Sequence, residues 1–207
     1  RNGSSPEKVE KVAKLLNPNA LTIGFARRFA TYKRATLIFR NIPRLQRILN
    51  NPAMPVQIIF AGKAHPADYP AQELVKHIYD LANSEEFKGK ILLIENYDME
   101  LARFLISGVD IWMNTPRRPL EASGTSGQKA AINGSINFSV LDGWWAEGYN
   151  TQNGWAIGDE NYYTDTEQQD HVDSLSLYSI LEDQIIPMYF DRNERDVPTN
   201  WVKMMKS

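Results

Sequence analysis

Across 207 residues, 25 acidic side chains nearly balance 23 basic ones, and a net charge of −2 provides no global basic field of the kind nucleic acid requires. The absence of cysteine excludes disulfides and thiolate metal sites and is compatible with a reducing cytoplasm. A hydrophobic content of 43% is enough for a core, the length suits one domain with a tail, and no apolar run reaches membrane-spanning length or reads as a signal peptide.

In chain order, Arg1–Pro6 reads as a linker or cut point. Val9, Val12, Leu15 and Leu16 then fall at helical spacing, so a short amphipathic helix is expected over 6–16, stopped by Asn17-Pro18-Asn19. Leu21–Phe25 reads as a buried strand. A helix is expected from about Lys33 to Leu49, carrying Leu37, Ile38, Ile42, Leu45 and Ile48. Val56–Ala61 is an apolar run closed by Gly62, suited to a strand buried on both faces. Helix over 70–81, strand over 90–95, helix over 99–107 and strand over 109–113 follow. This alternation predicts an α/β fold: a doubly wound, Rossmann-like parallel sheet over 17–158 with right-handed crossovers.

The residues before it, 1–16, form a linker and short helix; those after it, 159–207, an acidic loop and a helical tail. Asp159–Asp173 holds six acidic residues and no lysine or arginine, which reads as a solvated loop. Asp173 or Ser174 is expected to cap a helix bearing Leu177, Ile180, Leu181 and Ile185, with Pro187 ending or kinking it. Trp201 and Val202 suggest that the tail docks on something and that apolar surface is left near it.

Chemistry concentrates in Glu121-Ala-Ser-Gly-Thr-Ser-Gly-Gln-Lys129. Small residues let backbone N–H groups converge on an anion, and a helical turn starting near Gly127 adds a favourable dipole, with Lys129 just inside it. A phosphate cradle beside one amine suits a phosphorylated aldehyde cofactor held as a Schiff base. A P-loop does not fit, because only two residues separate Gly124 from Gly127, Gln128 precedes Lys129 and Ala130 follows it. Arg27, Arg28, Lys33 and Arg34 place four cations within eight residues after the first strand, where phosphate would offset them. Sites in such sheets lie beyond the strands' carboxyl ends, so these residues, Gly62–His65, Glu95-Asn96 and the Asn114–Lys129 loop should gather at one edge. His65 reads as a turn or packing residue. His77 and His171 have no partner at metal-ligand spacing, and no metal is assigned. Trp144, Trp145 and Trp155 read as core or lobe-interface packing before sugar stacking.

From about Leu15 onward the chain closely resembles the α-glucan phosphorylases, the glycogen, starch and maltodextrin enzymes. The segments that carry this are Leu21–Arg34, Glu95–Arg103, Asn114–Lys129, Leu141-Asp-Gly-Trp-Trp145 and Asn153–Gly158, in that order. The resemblance implies the second lobe of a two-lobed GT-B glycosyltransferase, with the first lobe missing. It implies a pyridoxal 5′-phosphate cofactor on Lys129, with Arg27, Thr125 and Ser126 at its phosphate. Arg28 and Lys33 would hold the substrate phosphate, Tyr32 would line the sugar site, and Glu121, Ser123 and Gly124 would contact the glucosyl unit. Arg28, Lys33 and Lys129 are thus the implied catalytic residues. Gln128 departs from the methionine of many relatives without changing the lysine spacing. The implied reaction converts α-1,4-glucan and inorganic phosphate to glucose 1-phosphate with retained configuration, in the cytoplasm, the full-length enzyme being a candidate homodimer. Nucleic-acid and membrane partners are not expected. A non-catalytic cofactor-binding or interaction domain, and a lobe of a nucleotide-sugar glycosyltransferase, are the alternatives; the lysine ending Ser126-Gly-Gln-Lys129 disfavours the latter, which needs no Schiff base.

Overall fold

The computed structural model describes residues 15–94 and 96–207. The helix expected over 6–16 therefore lies outside the described residues except for Leu15 and Leu16, which sit in a turn, and Glu95 lies outside them as well. Six strands, β1 (Leu21–Ala26), β2 (Val56–Ala61), β3 (Ile91–Ile94), β4 (Ile111–Asn114), β5 (Ile136–Val140) and β6 (Gly154–Ile157), form one sheet. Their order is β3-β2-β1-β4-β5-β6, and every pairing is parallel. This is the doubly wound order expected from the strand–helix alternation.

Alternation of side chains across the sheet splits the core in two. In β2, Ile58 and Phe60 join the larger cluster with Ile23, Phe25, Ile111 and Phe138. Ile59 and Ala61 point the other way, toward Trp112, Leu105 and Ala130. The larger cluster is closed by α1 (Ile42–Leu49), α2 (Tyr69–Asn83) and α6 (Thr166–Ile180), which contribute Leu45, Ile78 and Leu177. The smaller is closed by α3 (Met99–Gly108) and α4 (Thr125–Ile132). A single turn, α5 (Trp145–Gly148), precedes β6, while α7 (Ile186–Phe190) and α8 (Thr199–Met205) end the chain.

Helix starts follow local chemistry. Asn41, Asp68 and Asp98 each accept a hydrogen bond from the backbone N–H three residues on, capping α1, α2 and α3. Pro43 and Pro70 stand in the first turns, where a missing N–H is harmless.

Several expectations are corrected. The helix expected from Lys33 is two short 3₁₀ turns, Thr31–Lys33 and Leu37–Phe39, and α1 begins only at Ile42. Arg34 breaks the run with left-handed backbone, φ 46°, because its side chain is drawn into the interior. β5 and β6 extend the sheet beyond the four strands read from the sequence. The acidic stretch is helical from Thr166 onward, capped by Asp165 and not by Asp173 or Ser174, and Asp173 is buried. Of the two outcomes expected at Pro187, an end or a kink, the end is not seen, because helical backbone continues through it. A π-helical segment, Leu181–Ile185, passes the chain into α7 and accommodates the proline. The tail docks on its own domain through Trp201. That residue is 3% exposed and packs on Trp155 and Tyr189, with ring centroids 5.9 and 5.0 Å away.

Candidate active site

The strand order reverses between β1 and β4, and the loops leaving these two strands form the walls of a pocket of about 440 Å³. Arg27, Arg28 and Lys33 come from the β1 loop, and Glu121 to Ser126 from the loop after β4. A crevice outside the carboxyl ends at a topological switch point is where ligands bind such sheets. The two loops are sewn together through the backbone. The Arg117 N–H donates to the Tyr32 carbonyl at 2.7 Å, and the Thr115 hydroxyl lies 3.0 Å from the carbonyl oxygens of both Lys33 and Arg34.

Glu121 is the electrostatic centre. Its Oε2 accepts from Arg27 Nη2 at 2.6 Å and from Lys33 Nζ. Burial works against the ionised carboxyl, but the Lys33 hydrogen bond and the charges of Arg27 and Lys33 outweigh it and hold the group below the usual glutamate range. One carboxylate thus meets two cations, and the excess positive charge is available to an anion. Arg27 Nε is buried without a partner, a donor left unsatisfied by the protein alone. Arg28 is exposed and makes no ion pair among the described residues. The Lys33 ammonium lies 4.6 Å from the centroid of the Tyr32 ring.

The loop after β4 turns into α4 at Gly124, whose φ of 80° belongs to the left-handed region open to glycine. The helix starts at Thr125, two residues before the expected start near Gly127. No side chain caps it, and although the Gly127 N–H donates to the Gly124 carbonyl at 3.0 Å, the N–H groups of Thr125 and Ser126 and the positive end of the dipole face the helix start. Ser126 Oγ accepts from Trp112 Nε1 at 3.3 Å. Lys129 is exposed, one turn beyond Thr125 on the same helix face, outside the pocket wall.

Arg27, Arg28, Lys33, Glu121, Ser123, Gly124, Thr125 and Ser126 thus meet in one pocket. Tyr32 and Lys129 flank it. Arg34 does not join the cation cluster: it is 3% exposed and bound to Asp170 and Asp173. His65 sits in a turn, its Nδ1 accepting from the Ala67 N–H, and His77 packs edge-on against Phe39.

Other contributors were not singled out from the sequence. Asp142 splits its carboxylate between the Glu121 N–H, at 2.8 Å, and the Gly143 N–H, at 3.0 Å, while the Trp144 N–H donates to the Ser123 carbonyl. The signal lay inside Leu141-Asp-Gly-Trp-Trp145, where an aspartate before a glycine marks a turn. Tyr97 lines the pocket, and burial raises its hydroxyl's pKa. Asn114 and Asn137, 5% and 1% exposed, surround Gly127 and each keep an unpaired Oδ1. Trp145 and Trp155 are core residues, while Trp144 is half-buried.

Residues 8–187 match the family model described as carbohydrate phosphorylase. The chain belongs to that family. It is 54% identical, over 96% of its length, to a maltodextrin phosphorylase of Thermococcus litoralis, of which that alignment covers 23%. It is 50% identical, over 92% of its length, to a glycogen phosphorylase of Aquifex aeolicus, covering 27% of that protein. It is 42% identical, over 99% of its length, to a glycogen phosphorylase of Mycobacterium bovis, covering 24% of it. The chain thus spans about a quarter of the length of these relatives. Among the described residues, no helix is long and apolar enough to cross a membrane, and no group of three or more His, Asp or Glu side chains is gathered as a metal site would require.

Proposed function

We propose that this chain is the cofactor-bearing lobe of an α-glucan phosphorylase, acting in the cytoplasm on α-1,4-glucan and inorganic phosphate. The observation that supports it best is the meeting of Arg27, Arg28 and Lys33 with the Glu121–Ser126 loop at the sheet's switch point. The partnerless Arg27 Nε and the uncapped start of α4 fit the phosphate of pyridoxal 5′-phosphate, and Lys129 is the amine on that helix to hold its aldehyde.

Arg27, Thr125 and Ser126 hold the cofactor phosphate. Arg28, an exposed guanidinium, takes the substrate phosphate, together with Lys33 once that ammonium shares its charge between phosphate and Glu121. Glu121, with Ser123 and Gly124, faces the glucosyl hydroxyls, and Tyr32 lines the sugar site. When bound, the cofactor supplies its phosphate as proton donor and acceptor beside the substrate phosphate. In the net reaction the C1–O4 bond of the terminal glucosyl unit breaks, C1 bonds to a phosphate oxygen, and O4 of the departing chain gains a proton. Arg28 and Lys33 keep the attacking phosphate at the face where positive charge develops on C1, and their charges balance that ion pair. The remaining wall of the cleft comes from the rest of a longer protein.

Borohydride fixation of supplied pyridoxal phosphate, followed by peptide mapping, tests the assignment. Label on Lys129, lost in Lys129→Ala, is expected. Label spread over other lysines, or none on folded protein, refutes it.

A further inference from the structure

Arg34 is the one member of the cation cluster turned away from the pocket. Its guanidinium uses four hydrogen bonds: Nε to the Thr115 carbonyl at 2.9 Å, Nη2 to the Pro116 carbonyl at 2.8 Å and to Asp173 Oδ2 at 2.6 Å, and Nη1 to Asp170 Oδ1 at 2.9 Å. The two carboxylates belong to α6, in the stretch that read as a solvated acidic loop. Asp170 also accepts from Arg117 Nη2 at 2.8 Å, so the loop after β1, through Arg34, and the loop after β4, through Arg117, are tied to the same helix. The Thr115 hydroxyl then closes the circuit onto the Lys33 and Arg34 carbonyls. Lys33 is consequently fixed from behind, one residue from the anchor, while its ammonium reaches forward to Glu121.

The backbone of Arg34 supports this reading. A non-glycine residue at φ 46° is held in a sparsely populated region, and such residues persist where surrounding structure over-determines them. A buried arginine answered by two carboxylates and two carbonyls is such a surrounding. Lysine could not replace it, because a single ammonium lacks the planar fork that reaches both loops and α6 together.

We propose that Arg34, with Asp170 and Asp173, is a positioning device for Lys33, making α6 a structural part of the phosphate subsite. Arg34 is a positioning residue that touches no reactant. The inference rests on the phosphate-site reading above for its consequence, but its geometric core, the placement of Lys33, is separately testable.

The test uses the 207-residue chain with ¹⁵N-labelled lysine. The ammonium resonance of the Lys33–Glu121 pair is assigned by its loss in Lys33→Gln, and inorganic phosphate is titrated in parallel. Arg34→Lys and Asp173→Asn should move that resonance toward the position of exposed lysines and weaken phosphate binding by roughly tenfold, as expected for a displaced ligand. Asp170→Asn, at a less buried carboxylate, is the milder variant should the others fail to fold. Trp201→Phe, remote from the pocket, should lower the melting temperature with both readouts unchanged, which separates positioning from general stability. A Lys33 resonance unmoved in folded Asp173→Asn and Asp170→Asn overturns the proposal. If the resonance moves but the wild-type chain shows no phosphate affinity sensitive to Lys33→Gln, the phosphate reading fails while the positioning role stands.

Discussion

Gly127→Ala sets two effects of known size against each other. In the first turn of α4, alanine should gain up to about 1 kcal/mol in helix propensity over glycine. The space is already taken, however. A Cβ there would stand 2.8 Å from Asn137 Oδ1, 2.8 Å from Trp144 Nε1 and 3.2 Å from Asn114 Nδ2. Asn137 cannot simply swing aside, because it is 1% exposed and its Nδ2 donates to the Gly127 carbonyl at 3.0 Å. Overpacking of this kind costs about 1–3 kcal/mol, and losing the hydrogen bond about 1 more. The balance is a net loss of about 1–3 kcal/mol, which for a domain of this size lowers the melting temperature by roughly 2–12 °C. Calorimetry of the two chains measures it. Because α4 carries Thr125, Ser126 and Lys129, borohydride-trapped cofactor should fall in parallel. A melting temperature equal to or above that of the parent would falsify the close-packing argument and leave propensity as the deciding effect.

Trp201→Ala should be among the most damaging changes outside the pocket, at about 3–5 kcal/mol, since it empties the space between Trp155 and Tyr189; a calorimetric loss under about 1 kcal/mol would mean the tail is not part of the core. The depressed Glu121 pKa means that its ion pairs contribute stability fully above the ordinary glutamate value of about 4.3 and lose it as the pH falls through the lower folded value. Acid melting curves should therefore show a loss below that value which Glu121→Gln removes, and an unchanged acid limb would detach Glu121 from Arg27 and Lys33. The 207-residue chain assayed alone with maltodextrin, phosphate and excess cofactor should release glucose 1-phosphate at less than about a tenth of the rate of a full-length relative, because orientation and water exclusion need the other wall. Turnover close to the full-length rate would show that one wall suffices. In such a relative carrying this lobe, Arg28→Ala should raise the phosphate requirement tenfold or more, as loss of a charge-assisted contact costs about 1.5–3 kcal/mol. An unchanged requirement would return Arg28 to the surface.

Much of the fold was legible because its signals are local. The β2 run Val56–Ala61 is apolar on both faces and was delimited by composition, with Gly62 as its stop. Asp68-Tyr-Pro70 and Asp98 carry their caps in the sequence. Gly124 and the small residues around it mark a backbone that must bend sharply, and one sheet edge then follows from parallel topology. What local signals could not supply was the partner of each charge. Arg34 and Lys33 are neighbours of one sign, yet one is drawn inward by Asp170 and Asp173, more than 130 positions away, and the other forward by Glu121. That choice breaks the helix expected from Lys33 and converts an acidic loop into the inner face of α6. The same holds for Asp142, which bonds a backbone N–H 21 positions earlier, and for Trp201, whose neighbours come from β6 and α7. Composition and period determined that this chain is a wound parallel sheet with cations gathered at one edge. Which cations line the pocket and which hold the loop in place was decided only by tertiary structure, because burial makes a charge's position depend on carboxylates that only folding brings near.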